Sequence, residues 1–182
     1  MRYWGRVIAA FAVAGCSGSA PNADRITGQT QDTPILASSI ASEQAPPIVF
    51  NTQLRSELEV PTCVSATKGH AQIKILQDGT IESMVILNNR GDESIRFGHI
   101  HHINTGATTG PVIWWLTDPV GLDLNLIERH IDIRQNAIFV TNQAHFATHE
   151  AALAELLANP QDFYVNFHSD LCTGGVARGF LP

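Results

Sequence analysis

The chain has 182 residues, a length that suits one folded domain with a real hydrophobic core plus some additional sequence. Eleven Lys and Arg residues against 17 Asp and Glu residues give a formal net charge of −6, and the sequence contains no basic run. This composition argues against nucleic acid as a partner and against attachment to anionic lipid by charge.

Residues 1–15 have the pattern of an export signal. Two arginines form a short positive region, and residues 7–14 form an apolar run that is too short to span a bilayer. Residues 13–16, Val-Ala-Gly-Cys, resemble the lipobox of bacterial lipoproteins. This resemblance implies a lipoprotein signal peptide that is cleaved before Cys16, and lipid attached to Cys16. The alternative is a plain secretory signal in which this cysteine is incidental.

The residue that follows Cys16 predicts the membrane in which a lipoprotein is anchored. It is Ser17, and in diderm bacteria a residue other than aspartate at this position usually directs a lipoprotein to the outer membrane. We therefore predict an extracytoplasmic protein of the bacterial cell envelope that contacts the membrane through lipid on Cys16. Removal of the signal takes away two arginines and no acidic residue, so the formal net charge changes from −6 to −8.

Residues 16–47 predict a flexible tether. They are rich in Ser, Ala, Thr, Gln, Asn and Pro, and they end in an Ala-Pro-Pro sequence. Such a composition buries too little apolar surface to offset the entropy lost on ordering. We expect the tether to hold a folded domain, residues 48–182, away from the membrane.

The folded part reads as a series of short strands with one helix. Residues 70–76 alternate between polar and apolar side chains, and Asp78-Gly79 predicts a tight hairpin turn into residues 80–87. Thr148 is a suitable helix cap, and Asn159-Pro160 ends the helix that follows it. This pattern predicts an all-β fold, a Greek-key β-sandwich or barrel with one short inserted helix. The other predicted strands are 48–58, 95–101, 112–116, 131–133, 137–140, 163–168 and 176–181.

Two cysteines remain once Cys16 is assigned to lipid. In an exported protein, the pair Cys63 and Cys172 favours a disulfide. The bond would close a loop of about a hundred residues, which the chain-entropy model values at about 4–5 kcal/mol. Two separate thiols are the alternative, because spacing alone does not bring the two Cα atoms within bridging range.

A histidine pattern carries the strongest chemical signal. His99 and His101 point to the same face of a predicted strand, because side chains alternate along a strand. His168 ends another predicted strand, so three imidazoles could surround one small site, either a metal centre or a buried polar cluster. Asn166 shares its strand face with His168 and could orient an imidazole. On an ideal strand, His102 faces away from His101.

Several short motifs stand in order along residues 54–182. They are Leu58-Glu59-Val60-Pro61, Gly69-His70-Ala71, Asp78-Gly79-Thr80, His99-Ile100-His101, Gly110-Pro111-Val112, 164–168 and 174–179. In this order the motifs resemble the CHRD (chordin) domain, found in chordin and in many exported bacterial proteins. The chain departs from the family pattern at His102, where the family usually has a small residue, and at Trp114 and Trp115, where it is usually aliphatic.

The histidine pattern also resembles, more weakly, the copper–zinc superoxide dismutase fold. That resemblance implies copper-ligand-like positions for His99, His101 and His168, with Arg178 beside the metal. Arg178 either holds an anion there or donates to loop carbonyls. Residues 103–129 contain no histidine, so a second, bridged metal ion is not expected. Three imidazoles suit copper, zinc or nickel, and copper binds most strongly of the three.

Two functions follow from the sequence. The favoured one is a non-catalytic, lipid-anchored CHRD-domain lipoprotein that binds a protein partner or a metal ion. The alternative is a copper-binding protein, or a copper-only superoxide dismutase-like enzyme with a mononuclear three-histidine site. The sequence contains no motif for a nucleophilic serine or cysteine, and the favoured function has no catalytic residue.

Overall fold

A computed structural model describes residues 45–117, 124–141 and 144–182. The predicted signal peptide, the predicted lipidation site Cys16 and most of the predicted tether lie outside these residues. Within the described ranges, no helix is both long and apolar enough to cross a membrane.

The described residues form nine antiparallel strands, one α-helix and two short 3-10 helices. The first 3-10 helix occupies Ser56–Leu58, where the sequence predicted a continuation of the first strand, and the second occupies Pro160–Asp162. The helix α1 spans His149–Ala158. The strands are β1 (Ile48–Arg55), β2 (Lys68–Ile75), β3 (Ile81–Asn88), β4 (Ile95–His102), β5 (Val112–Trp115), β6 (His130–Asn136), β7 (Ile138–Phe139), β8 (Phe163–Ser169) and β9 (Ala177–Phe180).

The strands make one nearly closed barrel. Their order in the sheet is β6-β3-β2-β1-β9-β8-β4-β5-β7, so β6 and β7 lie at opposite edges. Only Ala137 separates these two strands in the chain, which brings the two edges together. The chain leaves β3, forms β4 and β5 elsewhere in the sheet, and returns to place β6 beside β3, which is a Greek-key connection. The predicted all-β fold with one helix is confirmed.

Strands β4 and β8 are buried on both faces over most of their length. In β3, buried and half-buried residues alternate strictly, as expected for a strand with one face on the core. In β4 and β8, Ile100, Val165 and Phe167 point into the hydrophobic core, but their neighbours on the outer face are also largely buried. Loops therefore cover the outer face of these two strands, and the histidines lie beneath that cover.

Helix α1 forms where the sequence predicts it. The Thr148 hydroxyl oxygen accepts a hydrogen bond of 3.2 Å from the backbone N–H of Ala151, which satisfies one of the free donors of the first turn. Ala152 and Leu156 are buried against the barrel, whereas Leu157 faces solvent.

The predicted disulfide is present. Cys63 and Cys172, which are separated by 109 in sequence number, are bonded, and their Cα atoms are 5.9 Å apart. The bond joins the loop between β1 and β2 to the turn between β8 and β9. It thereby holds part of the covering loops against the barrel.

Candidate metal site

Three histidines converge on the outer face of the barrel. His99 and His101 lie two residues apart on β4, and His168 lies on the neighbouring strand β8, opposite Phe97. The ring centroid of His99 is 5.3 Å from that of His101 and 5.0 Å from that of His168. One ring nitrogen from each of the three lies within 4.8 Å of the others. The fold thus brings the three predicted ligands together.

Loop carbonyls fix the orientation of two of the imidazoles. Nδ1 of His101 donates to the carbonyl oxygen of Gly110 at 2.9 Å, and Nδ1 of His168 donates to that of Thr173 at 2.8 Å. A carbonyl oxygen can only accept, so the proton of each neutral ring is on Nδ1. The lone pair of each ring is therefore on Nε2.

The remaining ring nitrogens of the cluster are buried and have no hydrogen-bond partner. They are Nε2 of His101, Nε2 of His168 and both nitrogens of His99. Because buried polar atoms are nearly always paired in native proteins, this concentration of unpaired nitrogens calls for an explanation. Metal-ligating histidines commonly donate their other N–H to a carbonyl oxygen, and two of these rings do so.

The environment keeps the cluster neutral. Burial, with smaller contributions from His101 and His168, lowers the pKa of His99 to about 2. Burial also lowers the pKa of His101 to about 4, although the hydrogen bond to Gly110 opposes this change. The pKa of His168 is lowered for the same reason, against its hydrogen bond to Thr173. All three imidazoles therefore keep their lone pairs at neutral pH.

Asn166 and Arg178 are beside the cluster but bond to other groups. Asn166 is opposite His99 in the register, and its side-chain amide donates to a Glu59 carboxylate oxygen at 3.2 Å. Nε of Arg178 is 3.3 Å from the same oxygen, and Nη1 donates to the carbonyl of Thr108 at 3.0 Å. Of the two predicted roles for Arg178, the donor to a loop carbonyl matches these contacts. Neither side chain bonds to an imidazole.

A comparison with known protein families finds the family that the sequence motifs resemble. The family model described as the CHRD domain matches residues 50–181. The chain belongs to the CHRD domain family. Searches of curated proteins and of solved structures gave no match. The family match covers the whole barrel from within β1 to the residue after β9.

Glu59 is a residue of the CHRD domain that the sequence did not single out. It is fully buried, and burial raises its pKa to about 7, even though Arg178 and Asn166 act to lower it. One oxygen contacts Asn166 and Arg178, and the other has no hydrogen-bond partner. Its place in the Leu-Glu-Val-Pro motif was a signal of family membership and gave no indication of burial.

Aromatic rings complete the walls of the site. The His101 ring stacks on Tyr164 within 2° of parallel, at a centroid distance of 4.7 Å. The indole of Trp115 lies 4.1 Å from the His99 ring, centroid to centroid, and Phe97 lies 4.9 Å from the His168 ring. These contacts limit rotation of the imidazoles, which would preorganise them for a ligand.

Proposed function

We propose that the CHRD domain of this protein is a non-catalytic module that binds one copper ion through His99, His101 and His168. The observation that supports it is the convergence of buried imidazole nitrogens that have no hydrogen-bond partner, two of them on rings already oriented by carbonyls. Copper is the preferred ion because, among the divalent first-row metals, it has the highest affinity for nitrogen ligands.

The spacing of the nitrogens suits one ion after a small movement. Two nitrogens that each lie about 2.0 Å from one copper ion are about 3–4 Å from one another, in tetragonal or tetrahedral geometry. The nitrogens here lie within 4.8 Å of one another, so modest rotations of the rings would bring them into range.

The surroundings of Arg178 favour binding over dismutase chemistry. An arginine that steers an anion to a metal must present its charge to the anion. Here the guanidinium is buried, lies against the Glu59 carboxylate and is 4.2 Å from the centre of the Tyr164 ring. Its charge is therefore directed to a carboxylate of the same chain, which supports a structural role. A protein partner stays a prediction of the sequence.

Copper titration with matched histidine variants tests the site. We expect the purified protein to lose one bound copper ion on His101→Ala substitution, measured by equilibrium dialysis and metal analysis. The control is His130→Ala, which removes an exposed imidazole on β6 and should leave the number of bound ions unchanged. An unchanged number of copper ions in the His101→Ala variant would overturn the proposal.

The second part of the proposal is that the module is a lipoprotein of the outer membrane. The supporting observation is the Val-Ala-Gly-Cys sequence behind a short positive and apolar segment. We expect Cys16→Ser to release the protein from the membrane fraction, and Ser17→Asp to keep it lipidated but in the inner membrane. If the Cys16→Ser variant still incorporated fatty acid, the lipid assignment would be wrong.

A further inference from the structure

A second cluster of ligand-type side chains lies at the other face of β4. His102 follows His101 directly, and the pairing of β4 with β8 is regular from Phe97 to His102, so the two histidines point to opposite faces. Glu155 from α1 and Asp162 from the second 3-10 helix approach His102. One ligand atom from each of these three lies within 4.8 Å of the others.

His102 is buried, and one of its nitrogens faces the carboxylates without a hydrogen bond. The residue is 8% exposed, and its Nε2 atom is buried and unpaired. Nδ1 is occupied, since it lies 2.7 Å from Nε2 of His145. The free Nε2 is 4.0 Å from a carboxylate oxygen of Glu155, which is too far for a hydrogen bond.

The neighbours of the cluster hold it in this arrangement. The ring of His102 packs against Phe146 and Phe163, with centroid distances of 5.2 and 4.6 Å. One oxygen of Glu155 accepts a hydrogen bond of 2.8 Å from the side chain of Asn159, one turn further along. The ligand oxygens of Glu155 and Asp162 lie within 4.8 Å of one another, so the two carboxylates repel, and a cation held between them and Nε2 of His102 would offset that repulsion.

We propose that His102, Glu155 and Asp162 bind a zinc ion in a site separate from the three-histidine site. One imidazole with two carboxylates is a donor set that zinc accepts, with each ligand at about 2.0–2.2 Å. His145 is the positioning residue, because its contact with Nδ1 of His102 fixes which nitrogen faces the ion. The ion would join α1 and the second 3-10 helix to β4.

Zinc counting on the full chain tests the second site. We expect two zinc ions per wild-type protein, measured by dialysis against zinc alone and metal analysis, if both sites are filled. The Glu155→Gln/Asp162→Asn variant should bind one ion fewer than wild type. Glu150→Gln, which removes the same charge from an exposed position on the same helix, should bind as many as wild type.

The same two substitutions placed in the His101→Ala protein separate the two sites. We expect the His101→Ala protein to bind one zinc ion and to lose it when Glu155→Gln and Asp162→Asn are added. Zinc should raise the thermal stability of the His101→Ala protein only when Glu155 and Asp162 are both present. If the two acid substitutions leave the count unchanged in both backgrounds, the second site does not exist. If they lower the count and His101→Ala does not, the three-histidine site fails and the second site stands.

Discussion

Glu59 and Arg178 form an ion pair with almost no access to water, their side chains being 0% and 2% exposed and their charged atoms 3.3 Å apart. The pair joins the loop after β1 to β9. The guanidinium also contacts Tyr164, whose ring stacks on His101. A continuous set of contacts therefore runs from the covering loop to an imidazole of the proposed copper site.

Removing one partner of this buried pair should lower the free energy of unfolding by more than removing one partner of an exposed pair. We expect Arg178→Met to lower the free energy of unfolding by about 3–5 kcal/mol at pH 8, because it leaves Glu59 buried without its cation. The matched control is Arg134→Met, which breaks an exposed pair with Asp132 and should cost about 0–1 kcal/mol. Urea denaturation measures both values, and equal costs would contradict a structural role for the buried pair.

The raised pKa of Glu59 predicts a pH dependence of stability with a defined sign. The pKa is about 7 in the folded protein, above the ordinary value of 4.5 for a glutamate, so the folded state binds more protons than the unfolded state between these values. Stability contributed by Glu59 is therefore fully present below about pH 4.5 and lost as the pH rises through 7.

Comparison with a variant isolates this contribution from those of the histidines. We expect the free energy of unfolding of wild type, relative to Glu59→Gln, to fall as the pH rises from 4.5 to 8. The glutamine keeps an oxygen that accepts from Asn166 and has no charge to bury. A difference that stays constant would show that Arg178 offsets the burial of the carboxylate, and one that grows with pH would show that Arg178 outweighs it.

Patterns among neighbouring residues in the sequence predicted much of the fold. The alternation of residues 70–76 around the Asp78-Gly79 turn predicted β2 and β3, and the cap at Thr148 predicted the start of α1. The same alternation placed His99 and His101 on one face. These features depend on neighbours in the sequence, where geometry is set by the period of the strand or helix.

Features that depend on distant parts of the chain were not predictable in this way. Periodicity distinguishes the two faces of β4 but does not reveal that loops cover the outer one. The sequence pattern assigns no particular role to His149, the first residue of α1. In the structure it accepts a hydrogen bond from the indole N–H of Trp114 at 3.1 Å and contacts the Gly79 carbonyl at 2.9 Å. His145 similarly gains significance only from its contact with His102.

The disulfide should contribute to both stability and the site. A bond between residues 109 positions apart stabilises the fold by about 4–5 kcal/mol in the chain-entropy model. We expect the Cys63→Ala/Cys172→Ala variant to lose about this amount in urea denaturation. It should also bind copper more weakly, because the carbonyl that orients His168 belongs to the next residue, Thr173. The wild-type protein with its disulfide intact is the control, and an unchanged copper affinity in the double variant would show that the bond does not position the site.

Trp115 should report copper binding by its fluorescence. Its indole lies 4.1 Å from the His99 ring, so a copper ion on that imidazole would quench it strongly. Trp114 points to the opposite face, where it is fully buried in the core. We expect Trp115→Phe to remove most of the copper-dependent quenching while the number of bound ions stays the same. Trp114→Phe should retain the quenching.

Zinc provides the chemical control for this measurement, because a filled d shell gives it no redox chemistry and no quenching of this kind. An excess of zinc should shift the quenching to higher copper concentrations, because zinc competes for the same three imidazoles but binds them less strongly than copper does. If copper quenches the Trp115→Phe variant as fully as wild type, the ion binds away from His99. The proposed copper site would then be wrong even if the protein still binds one copper ion, since the quenching depends on where the ion lies.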